Sequence, residues 1–183
     1  GRAQAAVGCW PCPRLGGGEG GRGVQRPGGG CVWGCPTVIT DAAIEALNRA
    51  GGVKAIAISH PHFYATMVDW SRALGGVPIY LHQDNRDWVM RPDPAIEFWS
   101  GESFEVTEGV TLVRTGGHFP GATVLHWADG AAGKGALLTG ASVMVVPEPH
   151  RHGFRYQVPN LFPPHAPAAE ADVQAVTAHP LQN

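Results

Sequence analysis

From Cys31 onward, apolar positions fall into short runs separated by glycine, proline and charged residues, and their spacing alternates between strand-like and helix-like. "CVWGCPTVIT" (31–40) reads as an extended apolar segment. Asp41 is placed to N-cap "AAIEALNRA", in which Ile44 and Leu47 share a face and which Gly51-Gly52 ends. "VKAIAIS" is a nearly continuous apolar run, the mark of a buried strand. "TMVDWSRAL" puts Met67, Trp70 and Leu74 on one helical stripe, stopped by Gly75-Gly76.

"VPIYLH" is the next strand, and "NRDWVM" a short helix halted before Pro92. "VMRPDPAIEFW" supplies core aromatics, Phe98 and Trp99, after a proline-bounded turn. "SFEVTEGVTLVRTGG" reads as two strands about Glu108-Gly109, and "ATVLHWADGAAGKGALLTG" as a hairpin about Asp129-Gly130. Strand–helix–strand followed by a run of strands predicts an α/β fold with a mixed sheet. There is no internal repeat.

Composition changes this picture at one end. Residues 1–30 hold 11 of the 26 glycines, with four Arg against one Glu, and bury almost nothing. They read as a flexible, Gly-rich tail, and residues 31–183 as a single domain. An Arg-rich, acid-poor tail also suggests a transit peptide, but serine and an amphipathic pattern are lacking. The chain opens on Gly rather than Met, as a fragment or processed chain would.

With 183 residues, 44% hydrophobic, it is long enough for one substantial core. The formal charge of −2 comes with scattered Lys and Arg, unlike the basic stripe that nucleic acid requires. No apolar run approaches the roughly 20 residues of a membrane span. The expectation is a cytoplasmic protein acting on a small molecule, with no nucleic-acid or membrane partner.

Candidate chemistry gathers where a strand stops, in "AIAISHPHFY". In a strand end, residues i and i+2 point the same way, so His60 and His62 can aim both imidazoles at one point, with Pro61 stiffening the bend. His-x-His alone equally suits two polar residues at a loop mouth. A third histidine, His118, follows Gly116-Gly117 in another loop after a strand, and those glycines permit a sharp turn toward the first loop.

"AIAISHPHFY", "TGGHFPGATVLHW" and "GALLTGAS" together resemble the metallo-β-lactamase superfamily, over about residues 31 to 165. That family shows a strand leading to His-x-His-x-Asp-His, a Gly-His-x-x-Gly loop, and a strand ending in Thr-Gly-Asp. The resemblance implies an αββα sandwich with mixed sheets, here incomplete at both ends, with metal held at one edge. Carried over residue by residue, His60, His62 and His118 match the first metal site.

Tyr64, Ala65 and Ala141 replace the ligands of the second site. His165 and His179 are candidates for the family's last histidine, though neither follows a recognisable strand. The implied reaction is hydrolysis at a single Zn²⁺, with iron an alternative since imidazole suits both, and metal-bound water as nucleophile. Tyr64, whose phenol ordinarily titrates near pH 10, is no base at neutral pH. It can donate a hydrogen bond to an oxyanion, or simply pack over the metal loop. A fold-keeping member without activity is the alternative.

Four cysteines carry a different reading. Cys9-x-x-Cys12 and Cys31-x3-Cys35 have spacings that suit a zinc ribbon, and hence an interaction protein, although eleven glycines surround or separate the pairs. His82 and His126 lie in strand-like stretches and read as core or edge residues. Asp69 and Asp84 are candidate partners for a histidine, or helix-surface and N-cap residues. The proline-rich "PEPHRHGFRYQVPNLFPPH", with His150, His152 and His165, is either a substrate loop or a loosely packed surface loop. A sandwich short of strands would expose apolar edges and self-associate.

Overall fold

A computed structural model of the chain describes residues 22–24, 28–117, 119–140, 144–145 and 152–153. Five strands form the first sheet in the order β1-β2-β3-β4-β5: Arg22–Val24, Gly30–Trp33, Val53–Ala57, Ile79–His82 and Ile96–Trp99. β1 and β2 pair antiparallel, and the remaining neighbours pair parallel. α1 (Asp41–Arg49) crosses from β2 to β3, and α2 (Met67–Ala73) from β3 to β4. The second sheet is an antiparallel meander of β6 (Ser103–Thr107), β7 (Val110–Arg114), β8 (Thr123–Trp127) and β9 (Ala136–Leu138). β10 (Met144–Val145) pairs with β11 (His152–Gly153).

Period-two patterning sorts the first sheet between two cores. Val32, Ile56, Ile58, Ile79 and Leu81 face α1 and α2, where they meet Leu47, Met67, Val68 and Trp70. Val24, Cys31, Trp33, Ala57 and Trp99 face the second sheet, against Val110, Leu112, Leu125 and Trp127. Full burial of a branched aliphatic such as Ile56 or Ile79 is worth about 1.5–3 kcal/mol, so these rows fix the register of the parallel strands. The result is helices on a mixed sheet on an antiparallel sheet.

Several sequence expectations are corrected in detail. The N-cap of α1 is Thr40, whose Oγ1 accepts from the Ala43 amide at 3.2 Å, and Asp41 is the first helical residue. Serine, threonine and aspartate compete for caps, and the hydroxyl one position earlier wins. The extended segment from Cys31 ends at Trp33, because Gly34 turns the chain at φ +73. The short helix expected at 85–90 is a 3-10 turn at Gln83–Trp88, and the proline-bounded segment supplies strand β5.

Arg22–Val24, inside the Gly-rich stretch, pairs with β2, so the folded unit begins before Cys31. β1 and β2 form a hairpin ahead of the first helix.

All parallel strands direct their carboxyl ends to one edge. β8 starts there and β9 returns there, so the connections after β3, β4 and β9 and the β7–β8 loop join those after β2 and β5 at this edge. Among the described residues no helix is long and apolar enough to cross a membrane.

Candidate metal centre

β3 runs through Ile58 into Ser59 and His60, both buried. His60 is extended (φ −166, ψ 169) and stands at the N-cap of a one-turn 3-10 helix, Pro61–Phe63. Pro61 is at the first helical position, where its fixed φ suits a helix start and its missing N–H costs nothing. His62 therefore comes back toward His60 by a helical turn rather than by strand alternation. The two rings lie 5.0 Å apart at 72°. His60 is only 1% exposed, whereas His62 is exposed.

Ser59 Oγ is 2.9 Å from His60 Nδ1. With Nδ1 engaged there, Nε2 is the nitrogen suited to a metal, and the hydroxyl fixes the ring as partners of metal-binding imidazoles do. The Ser59 carbonyl accepts from the Thr123 amide at 2.9 Å, joining the chain after β3 to the start of β8. Gly140, after β9, also closes on Ser59: a Cβ there would stand 2.7 Å from its Oγ.

The β7–β8 loop turns at Gly116 and Gly117 (φ +74 and +76), and the Gly116 and Thr115 amides both donate to the Ala122 carbonyl. Phe119, 2% exposed, is thereby laid on the histidines, stacked 5.7 Å from His60 and edge-on 5.2 Å from His62. Phe63 covers His60 from the other element at 4.8 Å. The loop that carries position 118 thus reaches the His60–His62 pair. His118 itself, like Ala141, His150, His165, His179, Cys9 and Cys12, lies outside the described residues. Among the described residues no three His, Cys, Asp or Glu side chains converge on one point.

Tyr64 lies in the core between the first sheet and its helices. Burial pushes its phenol pKa well above the ordinary value, slightly opposed by the nearby Asn85 amide, although the two do not reach hydrogen-bonding geometry. Packing thus describes Tyr64 better than substrate contact does. Ala65 is exposed and carries no donor atom.

His82 is buried and caps the 3-10 turn after β4. Its Nδ1 accepts from the Asp84 amide at 3.2 Å and its Nε2 donates to the Gly101 carbonyl at 3.1 Å. Both nitrogens are occupied within the fold. Asp84 pairs with Arg114 at 2.9 Å, and Asp69 makes an exposed two-pronged pair with Arg91. His126 sits on β8, across from Thr111 and Leu137. Cys31 faces the core between the sheets and Cys35 the core under the helices, and burial pushes both thiols up to about 12. The two thiols thus line different cores.

Ser59, Asn85, Phe119 and Gly140 are parts of the site that sequence reasoning missed. Phe119 was adjacent to a candidate ligand, while Asn85 carried no signal at all.

No family model matches the chain. The uncharacterized protein YmaE of Bacillus subtilis (strain 168) is 43% identical over 159 residues, which cover 87% of this chain and 57% of that protein. The chain therefore matches little more than half the length of this relative. Among solved structures, the DIM-1 metallo-β-lactamase superposes with a TM-score of 0.67 at 12% identity, over 86% of this chain and 72% of that one. The SMB-1 metallo-β-lactamase, solved with mercaptoacetic acid, gives 0.57 at 16% identity, over 86% and 67%.

The protein has the metallo-β-lactamase fold. Its paired histidines accordingly lie at a sheet edge of that fold, after the third strand of the mixed sheet.

Proposed function

We propose that this protein is a metal-dependent hydrolase of the metallo-β-lactamase superfamily, holding one ion through His60, His62 and His118. One observation carries the reading: the two imidazoles lie 5.0 Å apart at a sheet edge, and the loop bearing position 118 folds onto them through Phe119. The donors fit zinc or iron, because a buried imidazole oriented by a hydroxyl is a preformed ligand and the exposed His62 can turn to meet it.

A divalent ion bound there would supply Lewis acidity toward a substrate carbonyl or phosphoryl oxygen and acidify water. The chain's own residues do the rest. Ser59 holds the His60 tautomer. Phe63 and Phe119 wall the histidines with apolar surface, which lowers the local dielectric and strengthens charge interactions at the site. Tyr64 packs in the helix-facing core and keeps its proton at neutral pH. The substrate is proposed to be a small molecule with a hydrolysable ester, thioester, lactone or phosphodiester bond.

Metal content per chain, in protein purified without added metal, tests this reading. One equivalent is expected, lost in His60→Ala and His118→Ala and retained when the four cysteines are replaced by serine. Metal that leaves with the cysteines instead would overturn it. A panel of thioester, lactone and phosphodiester substrates then separates an active hydrolase from a fold-keeping relative without activity, a reading favoured by the loss of donors at Tyr64, Ala65 and Ala141.

A further inference from the structure

Asn85 lies in the 3-10 turn that follows β4 and is fully buried. A primary amide removed from water is costly unless bonded, so its position calls for a physical reason. Its Oδ1 accepts from the Gly121 amide at 2.9 Å, a tie spanning 36 residues of sequence. The contact is closer than a side chain at 121 would allow. A Cβ on Gly121 would stand 2.9 Å from both Cγ and Oδ1 of Asn85 and 3.0 Å from His82 Nδ1. The loop backbone therefore lies flat on the amide, and glycine is required for close approach rather than for a left-handed φ.

A second tie reinforces the first. Arg114 Nε donates to the Pro120 carbonyl at 3.0 Å, and its Nη2 pairs with Asp84 at 2.9 Å. Arg114 and Asp84 are each about a third exposed, so solvent screens that pair, whereas the Asn85–Gly121 bond is dry. Two residues before Gly121, Phe119 lies against both His60 and His62. A chain of contacts thus runs from the Asn85 amide through Gly121 to the aromatic ring that covers the imidazoles.

We propose that Asn85 is a positioning residue for the histidine site, holding the β7–β8 loop at the height that seats Phe119 on His60 and His62. The amide suits this task because it accepts the Gly121 N–H without charge. Leucine would leave that N–H unbonded, and aspartate would keep the acceptor while burying a negative charge. The other end of the amide, Nδ2, faces the core near the Tyr64 phenol, and among the described residues neither group has a hydrogen-bond partner. Oδ1 is thus the atom whose bond holds the loop.

This inference rests on the proposed ligand role of His60 and His62 for one of its two readouts only. In the metal-free protein, amide hydrogen exchange is measured over residues 115–123 for the parent, Asn85→Ala, Gly121→Ala, the double variant and Asn85→Asp. Exchange in that segment should rise at least about tenfold in Asn85→Ala and in Gly121→Ala, while β3 and β7 keep their protection, because loop opening is local. The double variant should exchange no faster than the quicker single one, since both break the same tie. Asn85→Asp, which keeps the acceptor, should recover part of the protection.

Cobalt(II) titration of the same set should show affinity weakened about 10–100-fold in the two alanine variants and partly restored in Asn85→Asp. Unchanged loop exchange in Asn85→Ala overturns the proposal, and so does a loosened loop with unaltered cobalt affinity. If the parent takes no cobalt, the ligand reading fails, and exchange alone decides whether Asn85 positions the loop. Should Asn85→Ala lose protection throughout, Gly121→Ala decides instead.

Discussion

The hydroxyl of Ser59 stands 2.9 Å from Nδ1 of His60, and both side chains are buried. Because a carboxyl-terminal extension of β3 carries both residues, the orientation of the imidazole is set by the strand end itself. When the hydroxyl accepts from Nδ1–H, the lone pair of the ring lies on Nε2, the tautomer a metal ligand needs.

Ser59→Ala should therefore weaken metal binding about 10–100-fold, while costing the metal-free protein only about 1 kcal/mol. Competition with a chromophoric chelator measures the first effect and urea unfolding the second. Equal affinity in parent and variant would separate the hydroxyl from the site.

Gly140 offers a sharper steric test of the same serine. It adopts φ +57, and an added Cβ would meet Ser59 Oγ at 2.7 Å, whereas Gly34, at φ +73, has nothing within 4 Å of such a Cβ. Both alanine variants bear the left-handed backbone cost of about 1–2 kcal/mol, but only Gly140→Ala must also displace Ser59. Thermal unfolding should show a larger loss for Gly140→Ala, and its metal affinity should fall with it. Equal losses in the two variants would show that the β9 connection yields without disturbing Ser59.

How much of this was legible in the sequence depends on the range of the forces involved. Strands β3, β4, β6, β7, β8 and β9 and helices α1 and α2 declared themselves through local periodicity. β1 and β5 did not, because Arg22–Val24 sits among glycines and Ile96–Trp99 follows prolines, and only pairing with β2 and β4 makes them strands. His60 and His62 were legible as a pair, though strand alternation was the wrong reason for their convergence. Asn85 was invisible: its role is set by an amide 36 residues away, and no local pattern encodes such a bond.

Cys31 and Cys35 predict an alkaline limit to stability. Burial raises both thiols from 9.0 to about 12, so the folded protein retains protons that the unfolded chain releases first. The contribution is fully present below pH 9 and is lost as pH rises toward about 12. Stability measured across that window should fall, and the fall should be shallower in a Cys31→Ala/Cys35→Ala variant. Native-state alkylation mapped by peptide mass should leave both thiols unmodified at about pH 8, since the reactive thiolate is scarce there. Rapid alkylation of Cys35 in folded protein would contradict its burial.

The final prediction concerns stoichiometry. A second ion would need carboxylate or imidazole donors beside the first, and the matching positions offer Tyr64, Ala65 and Ala141. Alanine donates nothing. A phenol must surrender its proton to bind well, and burial of Tyr64 works against that by raising its pKa. The histidine site should therefore hold at most one ion, and any hydrolysis should be slow, for want of a carboxylate to orient the nucleophile. Tyr64→Asp, Ala65→His and Ala141→Asp made together should admit a second equivalent, provided that a carboxylate buried at position 64 does not unfold the helix-facing core; circular dichroism monitors that condition. Two equivalents of metal in the unaltered chain, persisting after all four cysteines are replaced, would show that other residues supply the second site.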